Sequence, residues 1–256
     1  MGSFKTVKLA LFGLLLVALG CKEEDKNGSE NGDDDIKVHF KTALQNRGTP
    51  LSIGDTVTMQ DGTIFNVKKF KLYLSHLSLV SASGDTVLLN EVLLADVGDP
   101  ATGAFRTTVP AANYVAVLVN FGLDPILNDS DPTGFPNEHP LSTYQAMYWS
   151  MLKYRFAIIE GRSNASGQFD PASDALNAYH PGTDPLYRQR IYEISMPNAN
   201  TDLDFTLEID LDGIFYRSGN SIDLQSENQT HSEPVDIDIA IRLMNNLAAT
   251  TRLMPN

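Results

Sequence analysis

The stretch LDFTLEIDL (residues 203–211) alternates apolar and polar residues from its first position to its last. Side chains of a β-strand point in turn to opposite faces, so this alternation is typical of a strand with one buried face. The apolar positions, all on one face, are Leu203, Phe205, Leu207, Ile209 and Leu211. The stretch therefore predicts a half-buried strand whose apolar side chains face a core.

Strands of the same kind recur along the chain, with turn residues between them. They are IKVHFKTAL (residues 36–44), TVTMQDGTIFNV (56–67), FKLYLSHLSLV (70–80), SGDTVLLNEVLLADV (83–97) and YVAVLVNFG (114–122). Asp61-Gly62 and Gly84-Asp85 supply the turn chemistry that joins antiparallel strands in hairpins. Short strands at this spacing predict a mainly β fold, an antiparallel β-sandwich.

One or two short helices interrupt this pattern. Ser142 stands three residues before Gln145 in PLSTYQAMYWSM (residues 140–151), a capping-box spacing that predicts a short helix. Near the end of the chain, apolar residues recur at helical spacing at Ile237, Ile241, Met244 and Ala248. The same segment also alternates over residues 235–241, which leaves a strand as the alternative to the favoured helix. Between them, residues 164–190 are rich in Asp, Asn, Pro and Gly and predict a long loop.

The N-terminus predicts export and lipidation. A basic head with Lys5 and Lys8 precedes the apolar run LALFGLLLVALG (residues 9–20), which ends in small residues directly before Cys21. This pattern is typical of a bacterial lipoprotein signal peptide over residues 1–20, after which the cysteine receives lipid. An ordinary cleaved signal followed by an unrelated cysteine is the alternative. Because Cys21 is the only cysteine, no disulfide can form within the chain.

Behind Cys21, the segment KEEDKNGSENGDDD (residues 22–35) contains no apolar residue that could be buried. Residues 21–35 are therefore predicted to form a disordered tether with lipidated Cys21 at its start. No run beyond the signal approaches the ~20 apolar residues that a transmembrane helix requires. We expect a protein of the cell envelope that is anchored in the lipid bilayer by acylated Cys21. The outer membrane is the expected location, with the domain facing the periplasm or the cell surface.

The composition also bears on the classes of partner and activity. A formal net charge of −13 argues against nucleic acid or anionic lipid as a binding partner. The chain contains no G-x-S-x-G nucleophile motif, no H-E-x-x-H pair and no glycine loop for phosphate. Scattered carboxylates such as Glu160, Asp170 and Asp210 could pair in space, but their spacing alone does not support a glycosidase. The prediction is a protein that is not an enzyme.

Three blocks carry a resemblance to a known family. FKLYLSHLSLV (residues 70–80), FGLDPILNDSDP (121–132) and PLSTYQAMYWSMLKYRFAIIEG (140–161), in this order, resemble the MbnP-like family. The resemblance continues more loosely through YHPGTDP (179–185) and THSEPVDIDIAIRLMNNLA (230–248). It implies that residues 36–256 form an MbnP-like β-sandwich domain. The namesake of the family is a periplasmic protein associated with methanobactin, a copper-chelating peptide.

The resemblance also implies a metal site. The family is similar to copper-binding proteins in which a tryptophan, oxidised to kynurenine, joins a histidine at a Cu(I) site. A partner enzyme resembling a dihaem peroxidase is implied as the oxidant. The matching residue here is Trp149, the only tryptophan of the chain, and His231 is the preferred histidine.

Two further residues are candidate copper ligands on chemical grounds. Thioethers are soft donors suited to Cu(I), which makes Met147 a candidate, and His180 lies in an irregular segment of the kind that often holds ligands. On a helix Met147 and Met151 would share a face and Trp149 would point elsewhere, whereas on a strand all three would share a side. In the alternative interpretation Trp149 and the methionines only fill the core, and the protein is a surface adhesion or assembly module without metal.

Overall fold

A computed structural model of the chain describes residues 35–99, 101–196 and 198–256. The predicted signal peptide (residues 1–20), lipidated Cys21 and all but the last residue of the predicted tether lie outside the described residues. These predictions of processing and anchoring therefore stay predictions. In the part of the chain that the structure describes, no helix combines the length and the apolar character needed to cross a membrane.

Strands and helices follow one another from Ile36 to Pro255. The strands are β1 (Ile36–Asn46), β2 (Thr49–Pro50), β3 (Thr56–Thr58), β4 (Ile64–Ser81), β5 (Thr86–Asp96), β6 (Ala104–Val109), β7 (Tyr114–Phe121), β8 (Tyr148–Trp149), β9 (Lys153–Tyr154), β10 (Ala157–Asn164), β11 (Ala175–Tyr179), β12 (Arg188–Glu193), β13 (Leu203–Asp210), β14 (Gln229–Thr230) and β15 (Arg252–Pro255). The α-helices are α1 (Pro125–Asn128), α2 (Leu211–Phe215) and α3 (Ile237–Thr250). Single 3₁₀ turns occupy Pro132–Gly134, Thr143–Gln145 and Asp184–Leu186.

The long strand β4 is a central strand of the larger sheet. The order of this sheet is β12-β7-β4-β10-β11-β14. The first half of β4 pairs with β10 and with β3, and its second half pairs with β7 and with β5. The hairpin predicted at Asp61-Gly62 joins β3 to β4, and the turn at Gly84 joins β4 to β5. Both glycines have a positive φ, 91° at Gly62 and 90° at Gly84, which glycine adopts without a steric cost.

The smaller sheet has the order β15-β13-β1-β2, and β6 also pairs with β1. The alternation that predicted β13 is present in the structure, because Leu203, Phe205, Leu207 and Ile209 are all buried. Leu211 is buried as well, but it begins helix α2. Buried side chains of the two large sheets belong to a single hydrophobic cluster, which is the core of the domain.

The predicted mainly β class is confirmed. Most strand pairs are antiparallel, as expected, but β1 pairs with β13 in parallel and β11 pairs with β14 in parallel. A parallel pair cannot be closed by a tight turn, and most of the domain lies between β1 and β13 in the chain. Hairpin signals in the sequence therefore could not reveal this pairing.

The predicted C-terminal helix is present as α3. Its buried residues are Ala240, Leu243, Met244, Asn246, Leu247 and Ala248. The helix predicted after Ser142 is wrong, because only one 3₁₀ turn forms. The Ser142 hydroxyl caps this turn, but the Gln145 side chain donates to the Asn137 carbonyl instead of closing a capping box. Ala146 then adopts a φ of 54°, in the left-handed region, and ends the turn.

The long loop predicted over residues 164–190 is also wrong. This segment contains β11, a 3₁₀ turn and the first residues of β12. Strand β11 pairs with β10, and its Asn177 and Tyr179 side chains are buried. Polar composition concealed this strand, because the buried Asn177 donates to the Leu224 carbonyl instead of contributing an apolar side chain.

Candidate metal centre

Trp149 lies on a short hairpin formed by β8 and β9. Tyr148 pairs with Tyr154 and Trp149 with Lys153 across the two strands, and the Leu152 N–H donates to the Trp149 carbonyl. Tyr154 fixes the hairpin on the core, because it is fully buried and its hydroxyl donates to the Leu141 carbonyl over 2.8 Å. The hairpin thus holds Trp149 half-buried at a defined place.

His180 follows β11 directly and approaches the hairpin from the side of the larger sheet. Its backbone N–H donates to the Thr230 carbonyl over 2.8 Å, and the Gly182 N–H donates to the Ser232 hydroxyl over 2.9 Å. A Cβ atom at Gly182 would lie 2.6 Å from the Tyr154 carbonyl oxygen. Glycine is therefore required here for the close approach of the hairpin to the segment that carries His180.

His231 follows β14 and is held by the residues that precede helix α3. Its backbone N–H donates to Oδ2 of Asp236 over 3.0 Å, and the Thr230 hydroxyl donates to Oδ1 of the same carboxylate over 2.9 Å. Ser232, next in the chain, has a φ of 61° and turns the backbone away. Asp236, the residue directly before α3, thus fixes the backbone position of His231.

These three segments bring three aromatic rings into contact, and we refer to Trp149, His180 and His231 as the ring cluster. The centroids of Trp149 and His231 are 5.5 Å apart with an interplanar angle of 68°. The centroids of His180 and His231 are 5.1 Å apart with an angle of 80°. Both contacts are edge-to-face, the arrangement that aromatic rings favour. His231 is therefore the central member, in contact with the other two.

Comparison with known proteins assigns the chain to a family. The model of the MbnP family matches residues 33–233. The chain belongs to the MbnP family. The matched range includes all three residues of the ring cluster and ends before helix α3. The family expected from the sequence is thereby confirmed.

A solved structure described as "MbnP from Methylosinus trichosporium" is similar to this MbnP-family chain. The TM-score is 0.53 at 17% sequence identity, with 81% of this chain and 87% of the other chain covered. At this low identity the similarity supports the fold alone. No functionally curated protein matches the chain.

Of the four metal ligands predicted for this MbnP-family chain, the ring cluster contains three. The fourth, Met147, is fully buried and belongs to the hydrophobic core, and its carbonyl accepts the Arg155 N–H over 2.9 Å. Met151 lies in the hairpin turn and is 68% exposed. The two methionines do not share a helical face, because this segment forms a hairpin and not a helix. The role of Met147 as a ligand stays a prediction.

Glu160 belongs to this site although no pattern in the sequence indicated it. Oε1 of Glu160 lies 2.9 Å from Nε2 of His180, and Oε2 lies 3.3 Å from Nζ of Lys69. Glu160 stands on β10, where its direct partners are Lys69 on β4 and Ala178 on β11. The register of these three strands creates the contact, so a usable signal would have required knowledge of both strand pairs.

Burial and neighbouring charges shift the pKa values of His180 and Glu160. Burial lowers the pKa of His180, and the neighbouring Arg155 lowers it further, which outweighs the opposite effect of Glu160. Burial alone raises the pKa of Glu160, but hydrogen bonds from His180 and Lys69 together with the Lys69 charge hold it below its usual range. Both shifts favour a neutral imidazole beside an ionised carboxylate; in such a pair the hydrogen is on Nε2, because a carboxylate only accepts, and the lone pair is on Nδ1.

The donor set fits copper only in part. Imidazole suits copper, and the ring cluster offers two imidazoles in contact. Within residues 35–99, 101–196 and 198–256, no group of three or more His, Cys, Asp or Glu side chains is arranged to hold a metal ion. Unmodified indole adds no ligand, since its N–H is only a donor. Two histidines with an adjacent indole thus fit a metal if the indole is converted into a ligand.

Proposed function

We propose that this MbnP-family protein binds Cu(I) at the ring cluster, through His231, His180 and an oxidised form of Trp149. The observation that carries the proposal is the position of His231, whose ring contacts both the indole and the second imidazole. The three residues come from separate segments of the chain, and each is fixed by its own backbone hydrogen bonds. The function is binding, not catalysis, and copper is the bound metal.

Oxidation is part of the proposal because indole cannot serve as a ligand. Insertion of two oxygen atoms across the C2–C3 double bond of Trp149, followed by hydrolytic loss of formate, yields kynurenine. The product carries an aromatic amine and a ketone, both of which have free lone pairs. Two equivalents of peroxide supply the oxygen atoms and are reduced to water. A partner enzyme resembling a dihaem peroxidase is the proposed catalyst, as the family resemblance implies.

Access to Trp149 supports a role for such a partner. Trp149 is half-buried, so an oxidant can reach it. Large apolar side chains nearby in the chain are well exposed: Met151 in the hairpin turn at 68%, Tyr144 before the hairpin at 73%, and Val235, four residues after His231, at 89%. Contiguous exposed apolar surface is typical of protein contacts, and these side chains are the proposed contact with the partner enzyme.

The cellular setting proposed from the sequence is a lipid-anchored protein of the outer membrane. Acylated Cys21 would hold the domain at the bilayer through the polar tether of residues 22–35. Replacement of Cys21 by Ser should move the mature protein from the detergent phase to the aqueous phase. A wild-type protein that already partitions into the aqueous phase would refute the anchor without affecting the copper site.

The copper proposal is tested with protein produced in its native host. Peptide mass spectrometry should find Trp149 as kynurenine, and competition with a chromophoric Cu(I) chelator should show one tight site. Trp149→Phe should retain the circular dichroism spectrum and lose the site. Protein made in a host without the oxidising enzyme is the matched control, because its sequence is identical and its Trp149 is intact.

An intact Trp149 in the native host, together with normal Cu(I) binding by Trp149→Phe, would refute the proposal. The ring cluster would then be a packing unit. The exposed side chains of Val235, Ile126 and Tyr144, each more than 70% exposed, would instead favour an adhesion or assembly module without metal.

A further inference from the structure

A polar chain runs from the ring cluster into the larger sheet. It begins at His180, whose side chain is 10% exposed, and passes through Glu160, at 30%, to Lys69, at 45%. Each carboxylate oxygen of Glu160 serves one partner: Oε1 lies 2.9 Å from Nε2 of His180, and Oε2 lies 3.3 Å from Nζ of Lys69. The Glu160 carboxylate therefore has a polar partner at each of its two oxygens.

The backbone supports the same arrangement. Glu160 and Lys69 are direct cross-strand partners on β10 and β4, and Glu160 pairs on its other side with Ala178, two residues before His180. The His180 backbone is fixed in turn by its N–H bond to the Thr230 carbonyl, 2.8 Å long. The contact between imidazole and carboxylate is thus set by sheet register and not by a flexible surface side chain.

This contact decides which nitrogen of His180 can bind a metal. A carboxylate is an acceptor without a hydrogen to donate, and the Lys69 ammonium favours the charged form of Glu160. The neutral imidazole must then carry its hydrogen on Nε2, where it is donated to Glu160. Nδ1 is left as the nitrogen with the free lone pair. Carboxylates that bind a metal-ligating histidine in this way fix its tautomer and orientation and raise its basicity.

We infer that Glu160 is the positioning residue of the proposed copper site, selecting the His180 tautomer in which Nδ1 is the ligating nitrogen. The inference rests on the proposed function, since it assigns a role to a residue that contacts a proposed ligand. It differs from a purely structural role, in which Glu160 would stabilise the fold without affecting the imidazole tautomer or the metal affinity.

The first measurement uses the metal-free full-length protein. Long-range ¹H–¹⁵N correlation spectra should show His180 with the hydrogen on Nε2 in the wild type. In Glu160→Met, which removes both acceptor oxygens but keeps a similar length, the tautomer with the hydrogen on Nδ1 should be populated. In Glu160→Gln the effect should be smaller, because the amide oxygen can still accept. An unchanged tautomer in Glu160→Met would overturn the inference.

The second measurement is the Cu(I) affinity of natively produced, oxidised protein. Loss of a carboxylate partner to a metal-bound histidine costs roughly 10–100-fold in affinity, and we expect this for Glu160→Met, with partial recovery in Glu160→Gln. Glu208→Met is the matched control, because Glu208 is also a half-buried strand glutamate, accepts a side-chain bond from Gln45 and lies on the smaller sheet. Its affinity should equal that of the wild type.

The outcomes separate the inference from the proposed function. If the wild type binds no Cu(I), the proposed function fails, the inference fails with it, and the tautomer result describes a structural hydrogen bond. If the wild type binds Cu(I) and Glu160→Met binds it equally well, only the inference fails. Circular dichroism of each variant verifies folding, and should Glu160→Met not fold, Glu160→Leu, which also lacks both acceptor oxygens, decides both measurements by the same criteria.

Discussion

Two histidines of this chain form closely similar pairs with a carboxylate. Nε2 of His180 lies 2.9 Å from Glu160, and Nε2 of His76 lies 2.7 Å from Asp124. The His76–Asp124 hydrogen bond is thus the shorter of the two. Their surroundings differ: the His180 side chain is 10% exposed and contacts the His231 ring, whereas the His76 side chain is 34% exposed.

The His76–Asp124 pair is already engaged in a structural role. Oδ1 of Asp124 accepts the Leu127 N–H over 2.8 Å and caps helix α1, while Oδ2 contacts His76. His76 itself sits at a β-bulge of β4 with a φ of 45°, a conformation that few non-glycine residues adopt. A histidine–carboxylate pair is therefore not a metal site by itself. The second imidazole and the indole distinguish the ring cluster.

The largest expected effect tests this difference directly. His231→Gln and His180→Gln should each lower the Cu(I) affinity of natively produced protein by more than the roughly 10–100-fold that loss of a supporting partner costs, because a ligand itself is lost. His76→Gln should leave the affinity unchanged. The measurement is a competition titration with a chromophoric chelator. If His76→Gln weakened Cu(I) binding as much as His231→Gln does, the two regions would not differ in their role in copper binding.

A second prediction concerns the close approach that assembles the ring cluster. In Gly182→Ala the new Cβ would meet the Tyr154 carbonyl at 2.6 Å, a backbone atom that can move only with the hairpin. We expect a loss of about 1–3 kcal/mol in the free energy of unfolding and a weaker Cu(I) site, because Trp149 shifts away from His231.

Gly134→Ala is the control for this change, since a Cβ at Gly134 meets no atom within 4 Å. Its stability should stay within about 0.5 kcal/mol of the wild type. Denaturant unfolding measures the stability of both variants. If Gly182→Ala loses stability but keeps full Cu(I) affinity, the contact of the hairpin with the His180 segment is not needed for the metal.

The two regions also differ in how far they could be predicted from the sequence. Alternation, which is a local property, predicted β4, the strand that carries His76, whereas β11, the strand directly before His180, was not predicted. The family resemblance predicted Trp149 and His231 as ligands, whereas Glu160 was named only as one of several scattered carboxylates. Its contact with His180 depends on the register between β10 and β11, which local periodicity does not encode.

Local signals were also overruled by tertiary contacts. The capping-box spacing at Ser142 predicted a helix, but the Gln145 side chain finds the Asn137 carbonyl and the Arg155 guanidinium binds the Ala146 and Met147 carbonyls. These bonds use groups that a helix would need for itself, so the chain forms the hairpin that carries Trp149. The segment that carries the proposed ligand Trp149 is thus one where local preference and the final structure disagree.

A third prediction concerns the backbone conformation of the two histidines. His76 has a positive φ and His180 does not. Asparagine tolerates the left-handed region and a β-branched residue does not, so His76→Val should be about 1–3 kcal/mol less stable than His76→Asn. Both variants lack the imidazole that contacts Asp124, and the same pair of substitutions at His180 controls for the other differences between valine and asparagine. The same two substitutions at His180 should show no such penalty for valine in denaturant unfolding. An equal penalty at both positions would show that strain does not separate the two regions.

The smallest expected effect is the pH dependence of stability that Asp124 contributes. Burial raises the pKa of Asp124, but hydrogen bonds from the Leu127 N–H and from His76 outweigh it, and the pKa falls below the usual value. The folded protein then binds fewer protons than the unfolded chain, whose aspartates titrate near ~3.9, so stability rises with pH through this window. The contribution is fully present above the unfolded pKa and is lost as the pH falls through the folded pKa.

Asp124→Asn keeps an oxygen for the helix cap but removes the charge. It should cost under about 1 kcal/mol at neutral pH, and the difference from the wild type should vanish in acid. Thermal or urea unfolding from neutral to acidic pH measures both, and a difference that grows as the pH falls would contradict a lowered pKa for Asp124 in the folded protein.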